Sequence, residues 1–459
     1  MRNYKPFTLL FLVISVSLAC SILQPSGSPN QGTVETQVAA TFTAAAPVEP
    51  SATPAETATN PATVTEVIDS PTATPENTPE PVGLRVVYAK DNAIYLWEQG
   101  HSPTPLTDSG SPIYNLDLSD DGQQIAFTRQ TGEIQAELWV VNIDGSNERM
   151  LVSEQDFQAF DPDALAVVPY QFSWRPGSHL LAYNTNQVFD GPRPGLYNDL
   201  RLVDAGTMAQ TTLLEPGQGG NFYFSPDGNQ IAISTPTTIS LVDADGTNLR
   251  PAVLQYEPVL TYSEYQYYAQ PRWLSDSSGL KAIIPPIDSL SDPRPPTTLW
   301  EIPIDGSPAI QTGMMVTMPF FANSTAYSPD LTKIAYLIET GDPPQNIHEL
   351  HFVNSDSSGD SAYHAEPLLN FAGWAQDSTH FAITIGENQS LQIGQIDAPY
   401  NPIADPPTSV FKLSWIDSER YMYIQDPGGE ATLFLAGLSN ASIAIDQVAD
   451  AYIPFDFMP

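Results

Sequence analysis

Basic side chains are scarce in this sequence. Only 16 Lys and Arg stand against 53 Asp and Glu among 459 residues, which gives a formal net charge of −37 at pH 7. A polyanion of this kind is repelled by nucleic-acid phosphates and by anionic lipid headgroups. The composition therefore excludes DNA, RNA and direct headgroup binding.

Cysteine is nearly absent as well, because Cys20 is the only one in the chain. No intramolecular disulfide can form. Cys20 follows a short basic region with Arg2 and Lys5, then an apolar run over residues 7–16. Such a run is too short to span a bilayer and is typical of an export signal.

The residues before Cys20 are Ser17-Leu18-Ala19. This arrangement resembles the signal of bacterial lipoproteins, in which the cysteine after a small residue is lipidated and becomes the new N-terminus. The family usually carries Leu three places before the cysteine, where this chain has Ser17. The resemblance implies a signal peptide over residues 1–19 and a lipid on Cys20. The protein would then be anchored in the cell membrane, facing the extracellular side or the periplasm; an ordinary secretory signal is the alternative.

Large apolar residues are rare in the next segment. Residues 21–82 are rich in Thr, Pro, Ala, Ser and Glu, contain no Lys or Arg, and have Phe42 as their only aromatic residue. Such a segment cannot bury enough apolar area to offset the entropy cost of ordering. We therefore expect residues 20–82 to form a lipidated cysteine followed by a disordered linker, and residues 83–459 to form the folded part.

From residue 83 onward a phrase recurs in which apolar strands alternate with tight turns. Its cleanest copy is 223–233, YFSPDGNQIAI. Ser and Asp cap the backbone of the turn, Pro presets φ, and Gly accepts the left-handed conformation that closes the hairpin. No stretch shows helical periodicity over three turns, so the folded part is predicted to be all-β.

The spacing of the repeat predicts the architecture. Turn aspartates at 227, 276, 330, 377 and 417 lie 49, 54, 47 and 40 residues apart. This is close to the period of four-stranded propeller blades. The phrase resembles the repeat of TolB-like propellers, a WD-repeat-like family whose repeat recurs in prolyl-oligopeptidase-type peptidases. The resemblance covers residues 84 to about 446 and implies a single β-propeller, but it implies no particular function.

Seven units begin with an apolar strand near residues 114, 170, 221, 269, 322, 370 and 410. Before them, residues 85–107 form a unit that lacks its first strand, and the closing residues 451–457 can supply it. The sequence thus predicts an eight-bladed propeller in which both chain ends share one blade. Seven blades is the alternative.

Loop lengths differ between the two faces of such a propeller. The turns on one face are short, whereas the loops on the other face hold the insertions, at residues 154–169, 184–198, 255–270, 285–298 and 339–346. Long loops gathered at one end of a rigid scaffold are the usual place for binding. We expect this long-loop face to carry the function.

Candidate partner-binding residues on that face are aromatic, arginine or acidic; they are Tyr262, Tyr265, Tyr267, Tyr268, Arg272, Phe157, Phe160, Asp161, Arg193 and Arg294. Tyrosine offers a broad amphipathic contact area, suited to protein interfaces and to stacking on sugar rings. Arginine can fork onto a carboxylate. The alternatives are packing of the rings against neighbouring blades and local salt bridges of the arginines.

Catalytic signals are missing. The sequence has no Gly-x-Ser-x-Gly motif of the kind that the hydrolase domain of propeller peptidases carries. His348 and His351 form the only His-x-x-His, and an offset of three on a strand turns them to opposite faces. No catalytic residue, cofactor or metal is predicted.

These observations favour a non-catalytic protein. We expect a monomeric, membrane-anchored binding or scaffolding propeller that engages a protein or a glycan through its long-loop face. A propeller hydrolase or lyase that acts on extracellular polysaccharide is the alternative.

Overall fold

A computed structural model describes residues 83–459 except 192–196, 264, 323–324 and 341–346. The predicted signal peptide and linker lie outside the described residues. The described residues belong to one compact unit. Within the described part of the chain, no helix is long and apolar enough to cross a membrane.

Short strands dominate the described residues, together with the 3-10 helices η1 (Glu154–Asp156) and η2 (Phe320–Ala322). The first strands are β1 (Arg85–Lys90), β2 (Ala93–Glu98), β3 (Thr104–Pro105), β4 (Ile113–Leu118), β5 (Gln124–Gln130), β6 (Ala136–Asn142), β7 (Arg149–Val152), β8 (Ala166–Trp174), β9 (Leu180–Val188), β10 (Tyr197–Asp204) and β11 (Gln210–Leu214). They are followed by β12 (Asn221–Phe224), β13 (Gln230–Ser234), β14 (Thr238–Asp243), β15 (Arg250–Gln255), β16 (Arg272–Trp273), β17 (Gly279–Ile284), β18 (Thr297–Pro303), β19 (Ile310–Met315), β20 (Thr325–Tyr327) and β21 (Lys333–Thr340). The last are β22 (Ile347–Asn354), β23 (Ser361–Pro367), β24 (Asn370–Trp374), β25 (His380–Ile385), β26 (Ser390–Gln395), β27 (Val410–Trp415), β28 (Arg420–Gln425), β29 (Ala431–Gly437), β30 (Asn440–Val448) and β31 (Phe455–Met458).

These strands form eight antiparallel sheets, which are the blades of a β-propeller. Blade one contains β31, β1, β2 and β3, and blades two to six contain β4–β7, β8–β11, β12–β15, β16–β19 and β20–β23. Blade seven contains β24–β26 and blade eight contains β27–β30. The first strand of each blade is its inner strand, as contacts of β4 with β31 and β8 show. The predicted all-β, eight-bladed fold is confirmed.

The two ends of the propeller meet in blade one. The C-terminal strand β31 pairs with β1, and Phe457 lies opposite Val86 in the register. The core of this blade joins Val86 and Tyr88 with Met422 and Leu433 of blade eight. The chain terminus therefore supplies the missing inner strand, as predicted, and the pairing leaves no open edge between the first and the last blade.

Tryptophans fix neighbouring blades to each other. Each occupies the last position of an inner strand, and its indole N–H donates to a backbone carbonyl on the inner strand of the preceding blade. The four bonds are Trp174 to Asp117 (3.0 Å), Trp273 to Tyr223 (3.0 Å), Trp374 to Ala326 (3.2 Å) and Trp415 to Gly373 (3.2 Å). The tryptophans of the repeat thus hold the ring together at the central channel.

The first turn of blade four shows the chemistry of the repeat most clearly. In blade four, Ser225 Oγ donates to Asp227 Oδ1 at 2.6 Å, and the same carboxylate oxygen accepts from the Asn229 N–H. These bonds hold the pKa of the Asp227 carboxyl below its ordinary value. Gly228 has φ +68°, and a Cβ there would approach the Pro176 carbonyl of blade three to 2.9 Å. Glycine is therefore required both by the turn and by the neighbouring blade.

Blade seven departs from the four-stranded pattern, because its sheet ends at β26. Residues 396–409 lie beside β26, where the Leu391 N–H donates to the Pro407 carbonyl at 2.8 Å. This segment contains Pro399, Pro402, Pro406 and Pro407. Proline has no N–H to give to a ladder, which explains why no regular fourth strand forms here.

The long loops are gathered on one face, but two of them are shorter than predicted. Strands β8 and β9 extend into the expected insertions 154–169 and 184–198, since β8 begins at Ala166 and β9 runs to Val188. The long connections among the described residues are 153–165, 256–271, 285–296 and 316–324, apart from their undescribed positions, and 396–409, which takes the place of the fourth strand of blade seven.

Replacing Trp174 by Phe should destabilise the propeller, because the Asp117 carbonyl loses its indole donor at a blade interface. We expect a loss of about 1–3 kcal/mol in the free energy of unfolding. Trp300→Phe is the matched control, since the Trp300 indole donates to Thr298 within its own strand. Calorimetric unfolding of both variants measures the difference, and equal losses would contradict a special role for the inter-blade bond.

Candidate functional site

Two of the predicted tyrosines are largely exposed to solvent on the connection between blades four and five. Tyr262 is 59% exposed and Tyr265 is 65% exposed. The Tyr262 hydroxyl donates to Asp288 Oδ1 at 2.5 Å, which ties this connection to the loop 285–296 of blade five. Both rings are therefore available to a partner, and Tyr262 is held in position.

The other two predicted tyrosines of this connection, Tyr267 and Tyr268, are half-buried. The ring of Tyr267 packs against Phe320 with the centroids 5.1 Å apart, and its hydroxyl donates to the Ile283 carbonyl. Tyr268 packs edge-on against Tyr197 at 5.2 Å. Burial raises the pKa of Tyr268 to about 12. These two rings hold the connection on the blades.

The predicted residues of the loop 153–165 lie over blade three. Phe157 packs on Tyr183 with the ring centroids 6.4 Å apart. Phe160 is exposed but lies against Gly217, where a Cβ would come within 2.8 Å of the ring. Asp161 accepts a hydrogen bond from the Asp163 N–H, and its own N–H donates to Gln187. All three residues shape the loop.

The predicted arginines have different surroundings. Arg294 donates to the Ser289 carbonyl at 2.7 Å and to the Thr317 carbonyl at 2.8 Å, so it joins two loops of blade five. Arg272 is exposed on the inner strand β16. Arg193 lies outside the described residues. The described structure does not bring the predicted residues together into one pocket.

Exposed apolar side chains cluster on the loops around blade five. We call this cluster the blade-five surface. Each of its side chains is between 49% and 65% exposed, and they are Leu260, Tyr262, Tyr265, Ile287, Leu290, Val316 and Phe321. Soluble proteins rarely expose a large contiguous apolar patch without a function.

Hydrogen bonds and ring contacts join the loops that carry the blade-five surface. The Leu260 N–H donates to the Ile287 carbonyl at 2.7 Å, next to the bond between Tyr262 and Asp288. Arg294 connects the loop 285–296 to Thr317 in the following connection. The surface is therefore built from loops that support one another.

The charges beside the blade-five surface are acidic. Glu257 and Asp292 are exposed, and Asp288 is partly exposed. Arg294 is the only basic residue among the described positions of 256–271, 285–296 and 316–322, and backbone carbonyls occupy its guanidinium. The result is an apolar surface with an acidic rim.

A second feature lies at the mouth of the central channel. A cavity of about 780 Å³ is bounded by the inner strands of blades two, three and four and by the loop 131–135. We call it the channel-mouth cavity. Its walls carry tyrosine rings and amide side chains, namely Tyr114, Tyr170, Tyr223, Asn115, Gln171 and Asn221. None of these residues was predicted from the sequence.

Two β-bulges determine the orientation of the cavity tyrosines. The register of β4 shifts between Ile113 and Leu116, and that of β8 shifts between Pro169 and Phe172. Tyr114 and Tyr170 lie within these bulges, 57% and 49% exposed. A bulge turns a side chain away from the regular alternation of a strand, so an alternating pattern does not reveal these rings.

Carboxylates on the inner strands hold successive blades. Asp117 Oδ2 accepts from the Trp174 N–H at 3.1 Å, and Asp456 Oδ2 accepts from the Leu118 N–H at 2.8 Å. Burial raises the pKa of Asp117 to about 7, and the negative charge of Asp456 adds to the shift. Burial likewise raises the pKa of Asp456. Both groups act at blade interfaces.

Histidines do not form a shared site. His348 contacts the Leu369 carbonyl, whereas His351 contacts Asp360. Within the described ranges, no three His, Cys, Asp or Glu side chains are grouped closely enough to hold a metal ion.

Comparison with known proteins finds similar solved structures but no similar sequence. No family model matches the chain, and no curated protein is similar to it in sequence. Among solved structures, an oligogalacturonate lyase in complex with manganese shares 15% identity over 76% of this chain and 83% of its own, with a TM-score of 0.44. A eukaryotic initiation factor shares 10% over 80% of this chain and 97% of its own, with a TM-score of 0.49. TolB from Acinetobacter baumannii shares 12% over 60% of this chain and 62% of its own, with a TM-score of 0.32. These likenesses concern the fold alone.

The raised pKa of Asp117 predicts a stability that falls as the pH rises. The folded protein binds this proton more tightly than the unfolded chain, whose Asp titrates near pH 4, so the contribution is complete below about pH 4 and is lost as the pH passes 7. Asp117→Asn keeps an acceptor for Trp174 and cannot ionise. Between pH 4 and 8, the free energy of unfolding of the parent should fall by on the order of 2–4 kcal/mol more than that of the variant.

Denaturation of both proteins across this pH range measures the effect. Asp397→Asn is the control, because Asp397 is exposed and its φ of +64° suits Asn. Parallel stability profiles for the parent and the Asp117 variant would contradict the assignment.

Proposed function

We propose that this protein is a lipid-anchored, extracytoplasmic docking propeller that binds another protein through the blade-five surface. The observation that carries the proposal is the group of exposed apolar side chains on loops that hydrogen-bond to one another on the long-loop face. Aromatic side chains are enriched at the centres of protein interfaces, and Tyr262 and Tyr265 are the most exposed rings of the surface.

The rim of the surface defines the chemistry of the partner. Glu257, Asp288 and Asp292 place negative charge beside the apolar side chains. A matching partner therefore presents an apolar centre edged by Lys or Arg, since complementary charges orient an encounter and reject wrong partners. Because the loops are already joined, binding requires little further ordering.

The N-terminal residues support a location of this propeller at the membrane surface. A lipid on Cys20 would anchor the chain, and the Thr- and Pro-rich residues 21–82 would act as a spacer between the membrane and the docking surface. The anchor and the spacer lie outside the described residues and are proposed from the sequence alone.

Polysaccharide cleavage, the alternative function, receives no support from the cavity carboxylate Asp117. It accepts a backbone N–H of the next blade, and so does Asp456. Their bonds assign both groups to blade packing, so we do not propose a reaction for this protein.

Substitutions on the blade-five surface should weaken docking without unfolding the protein. The partner is first identified by affinity capture from detergent-solubilised cell envelope and cross-linking, and its affinity for the purified chain is then measured by titration calorimetry. The double variant Tyr262→Ala, Leu290→Ser should bind this partner at least about tenfold more weakly, because both changes remove apolar contact area.

The matched control is Tyr452→Ala, Ile443→Ser, which removes a Tyr that is 75% exposed and an Ile that is 51% exposed, both outside the blade-five surface. It should bind normally. Equal weakening by both double variants, or retention of full affinity by the blade-five variant, would exclude the surface as the docking site. If the chain associates with itself through this surface, the occupant is a second copy of the chain and the proposal of a different partner protein is wrong.

Replacing Cys20 by Ala tests the anchor. The variant should move from the membrane fraction to the soluble fraction of its native host and should no longer incorporate a labelled fatty acid, because the only thiol available for lipidation is gone. Fractionation and labelling measure both effects. Unchanged membrane association of the variant would reject the lipoprotein assignment.

A further inference from the structure

The channel-mouth cavity shares no residue with the blade-five surface and requires its own explanation. Its volume of about 780 Å³ falls within the range of roughly 300–1,000 Å³ that is usual for small-molecule sites. The rings of Tyr114 and Tyr170 come from two neighbouring inner strands and face the same space. The cavity therefore combines room for a ligand with two exposed aromatic surfaces.

The polar groups of the cavity are mainly amides. Asn115, Gln130, Gln135, Gln171 and Asn221 all line it. An amide side chain both donates and accepts hydrogen bonds, as a sugar hydroxyl does. Aromatic rings offer an apolar face to the C–H groups of a sugar ring and a polar edge at the hydroxyl. This combination of side chains suits a carbohydrate.

The walls of the cavity are held in place before any ligand binds. The Tyr114 hydroxyl donates to Gln130 Oε1 at 2.7 Å. Gln171 makes a pair of hydrogen bonds with the backbone of Phe222, at 2.7 and 3.0 Å. Such bonds reduce the side-chain ordering that binding requires.

Two further contacts orient the far wall. The ring of Tyr170 packs edge-on against Tyr197 with the centroids 5.4 Å apart. The Tyr197 hydroxyl donates to Asn221 Oδ1 at 2.6 Å, so the same tyrosine positions both a ring and an amide of the cavity. The site is thus built from supported side chains.

Charge selects the class of carbohydrate. No Lys, Arg or His is among the residues that line the cavity, whereas Asp117 and Glu133 are. The whole chain carries a formal charge of −37. A glycan with uronic acid, sulfate or phosphate groups would meet repulsion and no counter-charge there. Neutral sugar hydroxyls, in contrast, can donate to the exposed carboxylate of Glu133.

From this geometry we infer that the channel-mouth cavity is a binding site for a neutral oligosaccharide, which stacks on Tyr114 and Tyr170 and exchanges hydrogen bonds with the amides of the inner strands. The site is independent of the docking surface on blade five, so either can fail without the other.

Titration calorimetry of the full chain in detergent with neutral hexasaccharides of glucose, mannose and xylose, and with oligogalacturonate, tests the inference. At least one neutral oligosaccharide should bind, and oligogalacturonate should bind at least about tenfold more weakly. Tyr114→Ala and Tyr170→Ala should each weaken binding about tenfold or more, whereas Tyr114→Phe, which keeps the ring, should stay within about threefold.

Tyr452→Ala and the blade-five variant Tyr262→Ala serve as controls and should bind sugar normally, with an unfolding midpoint for every variant to show that it folds. Absence of binding by all neutral sugars would overturn the inference. It would also be overturned by tighter binding of oligogalacturonate, or by an equal loss in Tyr452→Ala.

Discussion

Hydrogen bonds between inner strands, where the ring is narrowest, attach neighbouring blades of this propeller to each other. Two hydrogen bonds join Trp174 and Asp117 across one blade interface. The Trp174 indole N–H donates to the Asp117 backbone carbonyl, and the Trp174 backbone N–H donates to the Asp117 carboxylate. Asp456 repeats the second bond toward Leu118. Because Asp456 belongs to the C-terminal strand, the same few residues close the ring and attach neighbouring blades. The loops of the long-loop face keep their positions only while the ring stays closed.

Much of this fold could be predicted from the sequence. The Ser, Pro, Asp and Gly of the first turn fix a hairpin by local bonds, so the spacing of this sequence phrase shows where each blade lies. The apolar C-terminal residues match blade one, whose N-terminal unit lacks an inner strand. The prolines of 396–409 carried a signal that the fourth strand of blade seven would be missing. The sequence also held a signal for the cavity, because an amide stands three positions before the end of the inner strand in blades two, three and four, at Asn115, Gln171 and Asn221. That recurrence becomes visible only when the blades are aligned.

Other features depend on contacts between segments that are distant in sequence, so no local sequence pattern predicts them. The tyrosines of 256–271 look equivalent in sequence, yet Tyr267 packs on Phe320 while Tyr265 stays in solvent. Which ring is buried depends on the connection that follows blade five. Arg294 illustrates the same limit, since its partners are backbone carbonyls rather than the abundant carboxylates. The rings of Tyr114 and Tyr170 depend on bulges, which one strand alone does not reveal.

We propose that the long-loop face, and not the short-turn face, binds the partner. Hydrogen–deuterium exchange of the protein alone and with its captured partner distinguishes the two faces, because each loop reports separately. Binding through the long-loop face should slow exchange in 256–271, 285–296 and 316–322, with no change in the short turns at 119–123, 225–229 and 275–278. Protection of those short turns, with unchanged exchange around blade five, would contradict it.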